Sequence, residues 1–491
     1  MNRYIAYISI IAAAMLASSC KAWLNVDSED RILEERLFSS TDGFYTALNG
    51  VYIDLVNANL YSGTLAPSTP DILAQYYDTS ADTHTYSSLA GFQGEAKRVA
   101  VNDMWSRAYF LILNVNKIIG HCDERKGTVL NELDYSIIKG ECLALRALLH
   151  FEMLRYFGPV FSVSPGADAI PYMTDTDPKV SPVLSGTAVM ARLNADLEAS
   201  MGLLAGSDPV IAGGKNEVDN GGRNLYGFRN LRMNYFAVKA LAARVNMYLG
   251  YLENYRGKAL QYAEEVISDA ARFFPFSTRE EANGQAATGN VNTAAEDRVL
   301  SSDILFAVYN IRRGEDIYEK YFYNTLESNR LLAISERGYS SMFPEEGDLR
   351  TFQWARKRDA LGNDVVCLVK YEAMEVDGKN YPYMIPVLRM SEMYLIAAEC
   401  YNASGDTDLA YRRLNTLRNA RQTSSVSTAI EANIEYEYIR EFAGEGQLFW
   451  YYKRKNAQTI TAIYDRSKPD ITVGTAGYLF DLPQSEDGFR D

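Results

Sequence analysis

The chain is 491 residues long and 47% apolar, enough to bury a substantial core and too much for a disordered polypeptide. Its 49 Lys and Arg face 63 Asp and Glu, a formal charge of −14, and no long basic run interrupts the balance. That argues against nucleic acid as a partner, because phosphate binding needs a basic face to release counterions.

The first residues read as an export signal. Arg3 supplies a positive start, Tyr4 to Leu16 form an apolar stretch, and Ala17, Ser18 and Ser19 precede Cys20. About 13 apolar residues are too few for a bilayer span, which takes roughly 20. Small residues before a cysteine resemble a bacterial lipobox, which makes Cys20 the lipidated first residue of the mature chain and residues 1–19 a lipoprotein signal peptide. Residues 20–40, with Asp27, Glu29 and Asp30, are polar and read as a lipid-anchored tether.

From there the pattern is helical in blocks. Thr41-Asp42 offers an N-cap and a first-turn acid, after which Phe44, Ala47, Leu48, Val51 and Leu55 recur at helical spacing. Residues 59–101 lose the period and read as a loop-dominated insertion. The period returns at Trp105, Ala108, Tyr109 and Ile112, and again at Ile138, Cys142, Leu145 and Leu149, ending at Gly158-Pro159. Further helices are expected over about 186–205, up to Gly250, and from Tyr255 to Ala270, with a Gly/Asn-rich surface loop at 213–222. Residues 272–385 are irregular, with strand-like runs at Ile304 to Tyr309 and Val365 to Val369. Helices return at Leu388 to Ala403, Thr407 to Ala420 and Ile430 to Phe442, and a loop bearing Leu482-Pro483 ends the chain.

Two helix pairs echo each other. Ala242-Ala243 precede Gly250 at the spacing by which Ala397-Ala398 precede Gly405, and a second helix follows each glycine. Small residues allow close helix approach, which is the logic of tetratricopeptide-like repeats. The fold expected is mainly α: a helical-hairpin scaffold (about 41–58, 102–158, 186–271 and 388–456) carrying long irregular loops (about 59–101 and 272–385) and a few short strands.

Chemistry for catalysis is sparse. His84, His121 and His150 are the three histidines, and no zinc-protease, nucleophile-elbow or phosphate-loop motif occurs. No catalytic residue, metal ligand or cofactor is assigned, and the chain is read as no enzyme. Cys122, Cys142, Cys367 and Cys400 lack paired metal or redox spacing; Cys142 and Cys400 fit buried thiols, and the disulfide state is left open. Aromatic clusters carry more information. Tyr76, Tyr77, His84 and Tyr86 lie in the first irregular segment, and Tyr321 and Tyr323 in the second. Such rings stack on the apolar faces of sugars or pack loops onto a scaffold, and these six are the candidate ligand-binding residues.

Several stretches together resemble the SusD-like (RagB/SusD) family of outer-membrane nutrient-binding lipoproteins. They are Cys20 with Leu37-Phe38-Ser39 and Ala47-Leu48-Asn49-Gly50-Val51-Tyr52; Trp105, Tyr109, Ile112 and Asn116; Arg146-Ala147; and Tyr156-Phe157-Gly158. The most specific part runs from Arg389 through Glu399 to Ala410, Leu414-Asn415 and Arg418, then Arg440-Glu441-Phe442 and Gly444-Glu445-Gly446. The resemblance implies residues 41–491 as one domain that caps a SusC-like TonB-dependent outer-membrane transporter and captures oligosaccharides at the cell surface, lipid-anchored in the outer membrane. A peptide ligand, or a pure interaction scaffold, are the other readings of the same fold. Arg389, Glu392, Arg440 and Glu445 are expected to pair between helices, since an unpaired buried charge is very costly.

Overall fold

The computed structural model describes residues 29–217, 225–284 and 295–489. Cys20, the signal segment and part of the 213–222 loop lie outside the described residues. Within the expected tether a helix already forms, α1 (Glu29–Leu37), and it is docked: Glu34 pairs with Lys117 at 2.5 Å, and Phe38 stacks on His121 at 4.2 Å between ring centres. These residues therefore belong to the folded body.

The scaffold helices start where side chains satisfy their first free N–H groups. Ser40, one residue before the expected cap, accepts the Gly43 N–H and opens α2 (Thr41–Asp54). A 32-residue helix, α3 (Gly94–Arg125), begins inside the segment expected to be loop, because nothing between Gly94 and Trp105 breaks it. Asn131 caps α4 (Glu132–Phe157), which is buried on nearly every face and stops at Gly158-Pro159. Ser185 caps α5 (Gly186–Leu204) and Asn234 caps α6 (Tyr235–Met247), whereas α7 (Glu253–Ala270) lacks a side-chain cap. The C-terminal set is α8 (Met390–Ala403), α9 (Thr407–Ala420, capped by Asp406), α10 (Ile430–Glu441) and α11 (Leu448–Lys455).

Consecutive helices from α3 to α10 pack on one another as a stack of hairpins, and α7 joins the two halves by packing on α8. The small residues do what their size allows: Ala242, Ala243, Ala397 and Ala398 are all buried at the crossings. Where α4 crosses α5, a side chain on Gly140 would meet Leu204 Cγ at 2.8 Å, and Ser200 Oγ donates to the Gly140 carbonyl at 2.6 Å. Only glycine leaves room for that approach.

Among the described residues, four small antiparallel sheets hang on this stack. The first pairs β1 (Asp168–Pro171) with β2 (Val183–Ser185). The expected strand β3 (Ile304–Tyr309) pairs with β7 (Met384–Arg389), which leads directly into α8. Leu388 and Arg389 are therefore strand, and the helix begins two residues later than its apolar run suggested. The third sheet orders β4 (Ala333–Ile334), β6 (Asp364–Leu368) and β5 (Trp354–Arg358), with β6 central. Ahead of it lies a π-helix, Gly314–Phe322. A two-residue pair near the C-terminus completes the set.

Many buried charges are paired. Arg389 bridges Glu445 at 2.6 Å and Asp303 at 2.9 Å, Arg244 holds Glu392 at 2.6 Å, and Arg440 holds Glu437 at 2.6 Å. All four expected residues pair, but only Glu392 does so between helices, with Arg244; Arg389 and Glu445 join a strand to a turn, and Arg440 pairs with Glu437 of its own helix. The C-terminal segment returns to the start of α3, where the Lys97 ammonium donates to the Gly477 and Leu479 carbonyls at 3.1 and 2.6 Å. Cys122, Cys142, Cys367 and Cys400 are free buried thiols. No helix among the described residues is long and apolar enough to cross a membrane.

Candidate functional site

The fold brings the two irregular segments together. Asp78 N–H donates to the Ala333 carbonyl and Thr85 N–H to the Asn329 carbonyl, so residues 78–86 lie along 329–333. The aromatic residues of the two segments meet at this seam, but they take different roles.

Tyr76 and Tyr77 are buried, at 0% and 1% exposure. The Tyr76 hydroxyl donates to the Ile439 carbonyl at 2.7 Å, and the Tyr77 ring packs 5.6 Å from Phe322. Tyr321 is buried as well, close to Gly63. None of these three rings has a face open to a ligand; they seat the loops on the scaffold. His84 is buried with both ring nitrogens engaged, Nε2 with the Leu331 carbonyl at 3.2 Å and Nδ1 accepting the Tyr86 N–H at 3.2 Å. Burial lowers its pKa, so it ties the seam as a neutral ring. Tyr86 is half-buried beside it.

Tyr323 differs: it is 40% exposed. It follows the π-helix directly, and such helices occur frequently at functional sites. Its ring is backed by the buried Tyr318, 5.7 Å away, and its neighbour Asn324 donates to the Arg358 carbonyl at 2.8 Å. Those contacts hold the ring at the Arg358 end of β5. Along β5 a cleft of about 500 Å³ opens, lined by Glu336, Arg356, Lys357, Arg358 and Asp364; Tyr323 is not among its lining residues. Arg356 grips Glu336 through two bonds of 2.8 and 2.7 Å, and this pairing holds the exposed carboxyl below its usual value. Arg358 faces Asp364 at 3.4 Å. Lys357 reaches toward Glu372, which in turn pairs with Arg298.

An exposed ring and, separately, a cleft of solvent-facing donors and acceptors are the equipment for a polar ligand with apolar faces. Exposed ion pairs contribute little to stability, so their hydrogen bonds can be redirected to a ligand at small cost. The sequence reading missed these charged residues. Their signal was the alternation in Trp354–Arg358, a strand whose successive side chains point to opposite faces.

A second cleft of about 490 Å³ lies elsewhere, lined by Lys215, Glu280, Asp297, Lys379 and Tyr381. A third, of about 300 Å³, is more apolar and lies between Trp105, Tyr109 and the Pro178-Lys179-Val180 loop. None of these three clefts is lined by any of the six candidate residues.

The profile of the family described as the SusD family matches residues 362–481, and that of the family described as "starch-binding associating with outer membrane" matches residues 23–209. No curated protein sequence matches the chain. Among solved structures, a SusD superfamily protein from Bacteroides thetaiotaomicron superposes with a TM-score of 0.70 at 20% identity, covering 91% of this chain and 98% of that one. A SusD-like carbohydrate binding protein from Bacteroides vulgatus gives a TM-score of 0.66 at 18% identity, over 91% and 96% of the two chains. The surface glycan-binding protein A of Bacteroides thetaiotaomicron, solved with laminarihexaose, gives 0.63 at 16% identity over 92% and 98%. At such identities these likenesses establish the shared helical fold. The two profiles together bracket the scaffold from its first helix to its C-terminal segment, and the chain belongs to the SusD-like (RagB/SusD) family.

Proposed function

We infer that this protein is a non-catalytic, cell-surface binding lipoprotein that captures an oligosaccharide and passes it to a SusC-like TonB-dependent transporter in the outer membrane. The observation that carries the reading is Tyr323, 40% exposed where the other five candidate residues are buried or half-buried. A sugar ring stacks on the tyrosine face, and the charged cleft along β5 offers hydrogen-bond partners to the hydroxyls of a chain long enough to reach it. The family description, starch-binding and associated with the outer membrane, supports the ligand class and the location. Cys20, outside the described residues, is the attachment point for the lipid.

Titration calorimetry of the purified protein against a panel of glycans tests the reading. Saturable heat with one glycan class, weakened by Tyr323→Ala, is expected. Heat with peptides and none with glycans would move the ligand to peptides, and shortened glycan products after incubation would overturn the non-catalytic assignment. Co-purification with a β-barrel transporter from outer membranes, lost when Cys20→Ser blocks lipidation, tests the partner and the anchor.

A further inference from the structure

The outer side of α1 is apolar where a surface helix is ordinarily polar. Glu34 and Phe38 meet α3 through Lys117 and His121, and Glu35 pairs with Arg125 at 2.8 Å, so the acids of α1 face the body. Leu33 and Leu37, one helical turn apart, share the side turned away from those contacts and are 61% and 37% exposed. A helix that turns its acids inward and its leucines outward has an apolar stripe left over for a second contact.

The stripe does not stand alone. Along α3, Val99 falls in line with Lys117, and Phe110 lies within about 20° of that line, so both share the side that holds α1. The contacts of α1 cover the Lys117–Arg125 end of that side, and Val99 and Phe110 are left 68% and 48% exposed. The Arg107 guanidinium lies 5.2 Å from the Phe110 ring and pairs with Asp54, the last residue of α2, next to the exposed Ile53. Five large apolar side chains on three adjoining helices are thus open to solvent, which is how interaction surfaces are marked.

The charges here suit a protein better than a lipid surface. Arg98, Arg107, Lys117 and Arg125 are each tied to a carboxylate, of Glu95, Asp54, Glu34 and Glu35, and have no charge to spare for anionic headgroups. Position narrows the partner. Glu29 stands nine residues beyond Cys20, and a fully extended run of that length reaches about 30 Å. With the lipid on Cys20, α1 is held within that distance of the membrane, where the rim of a transporter lies.

We propose that Leu33, Leu37, Ile53, Val99 and Phe110 form the surface that docks onto the extracellular rim of the outer-membrane transporter, an inference that rests on the lipid-anchor and transporter reading above. Outer membranes from cells making the full-length chain, with a photo-crosslinking amino acid in place of Phe110 or of Leu33, test it. A covalent adduct to a TonB-dependent β-barrel, identified by mass spectrometry, is the expected result. In detergent pull-downs, Leu33→Glu/Phe110→Glu should recover about tenfold less of that barrel than the wild type, with an unchanged melting temperature. Adducts to lipid or to a second copy of the chain, or equal recovery of the barrel by the double variant, would overturn the proposal and leave the transporter reading standing. A wild-type chain that recovers no barrel would overturn both.

Discussion

Asp71 and Gly444 lie 373 positions apart, yet the Asp71 carboxyl accepts the Gly444 N–H at 2.6 Å and, through its other oxygen, the Gly446 N–H at 3.0 Å. Gly444 and Gly446 both have positive φ, so the turn around Glu445 exposes its N–H groups to one acceptor. The same turn aims Glu445 at Arg389. One side chain from the first irregular segment thus organises the most recognisable motif of the C-terminal half. Asp71→Ala leaves two buried N–H groups unpaired and should cost about 2–4 kcal/mol, read as a lower denaturant midpoint.

The same residue carries a pH signature. Burial pushes the Asp71 carboxyl up from 3.8 to about 8, against the hydrogen bonds from Gly444 and Gly446, which lower it. Between those values the folded chain keeps a proton that the unfolded chain has released, so this group makes stability fall as pH rises through that window. Equilibrium unfolding from pH 4 to 8 should show a shallower decline in Asp71→Ala than in the wild type.

His150 has the opposite sign. Its Nδ1–H donates to the Arg146 carbonyl at 2.9 Å, its Nε2 accepts the Met173 N–H at 3.0 Å, and its ring stacks on Tyr172 at 3.9 Å. Burial lowers its pKa from 6.5 to about 3, so its contribution is fully present above about 6.5 and is lost as pH falls toward 3. His150→Phe should be less stable at pH 7, because Met173 loses its acceptor, yet should lose less on going from pH 6.5 to 4. Parallel urea titrations at the two pH values measure it.

Two tyrosines separate binding from folding. Tyr323→Ala removes an exposed ring and should weaken glycan binding about fivefold or more, about 1 kcal/mol, with an unchanged melting temperature. Tyr77→Ala removes a ring at 1% exposure and should destabilise the fold by about 3–5 kcal/mol, as truncations of other buried rings do. Equal losses of binding and melting temperature in both variants would place Tyr323 among the structural rings.

Gly338 lies in the short helix Glu336–Met342 that brings Glu336 to the cleft. A Cβ there would meet the Tyr464 and Ile463 carbonyl oxygens at 2.3 and 2.6 Å, and both belong to backbone that cannot swing away as a side chain would. Gly338→Ala should therefore cost about 1–3 kcal/mol, measured by thermal unfolding.

The scaffold was legible because its signals are local. The helical period through Ile138, Cys142, Leu145 and Leu149 and the stop at Gly158-Pro159 mark α4, whereas the caps Asn131, Ser185 and Asp406 were not singled out. The strand β7 was not legible: Met384–Arg389 is buried at every position, and a short fully buried run has the same periodicity as a buried helix turn. The π-helix at Gly314–Phe322 has no sequence period of its own to betray it. At the candidate site, Tyr77 and Tyr323 are the same residue type in equally irregular segments. Only the distant partners separate them, since Phe322 covers Tyr77 while Tyr323 has backing on one side only.

The grip of Lys97 on the Gly477 and Leu479 carbonyls has a temporal meaning. A polypeptide leaves the ribosome N-terminus first, so this lysine waits for nearly the whole chain to be made before its ammonium finds those acceptors. Contacts between such remote stretches close late and slowly. Any threading through a translocation pore precedes that closure, while the polymer is still pliable.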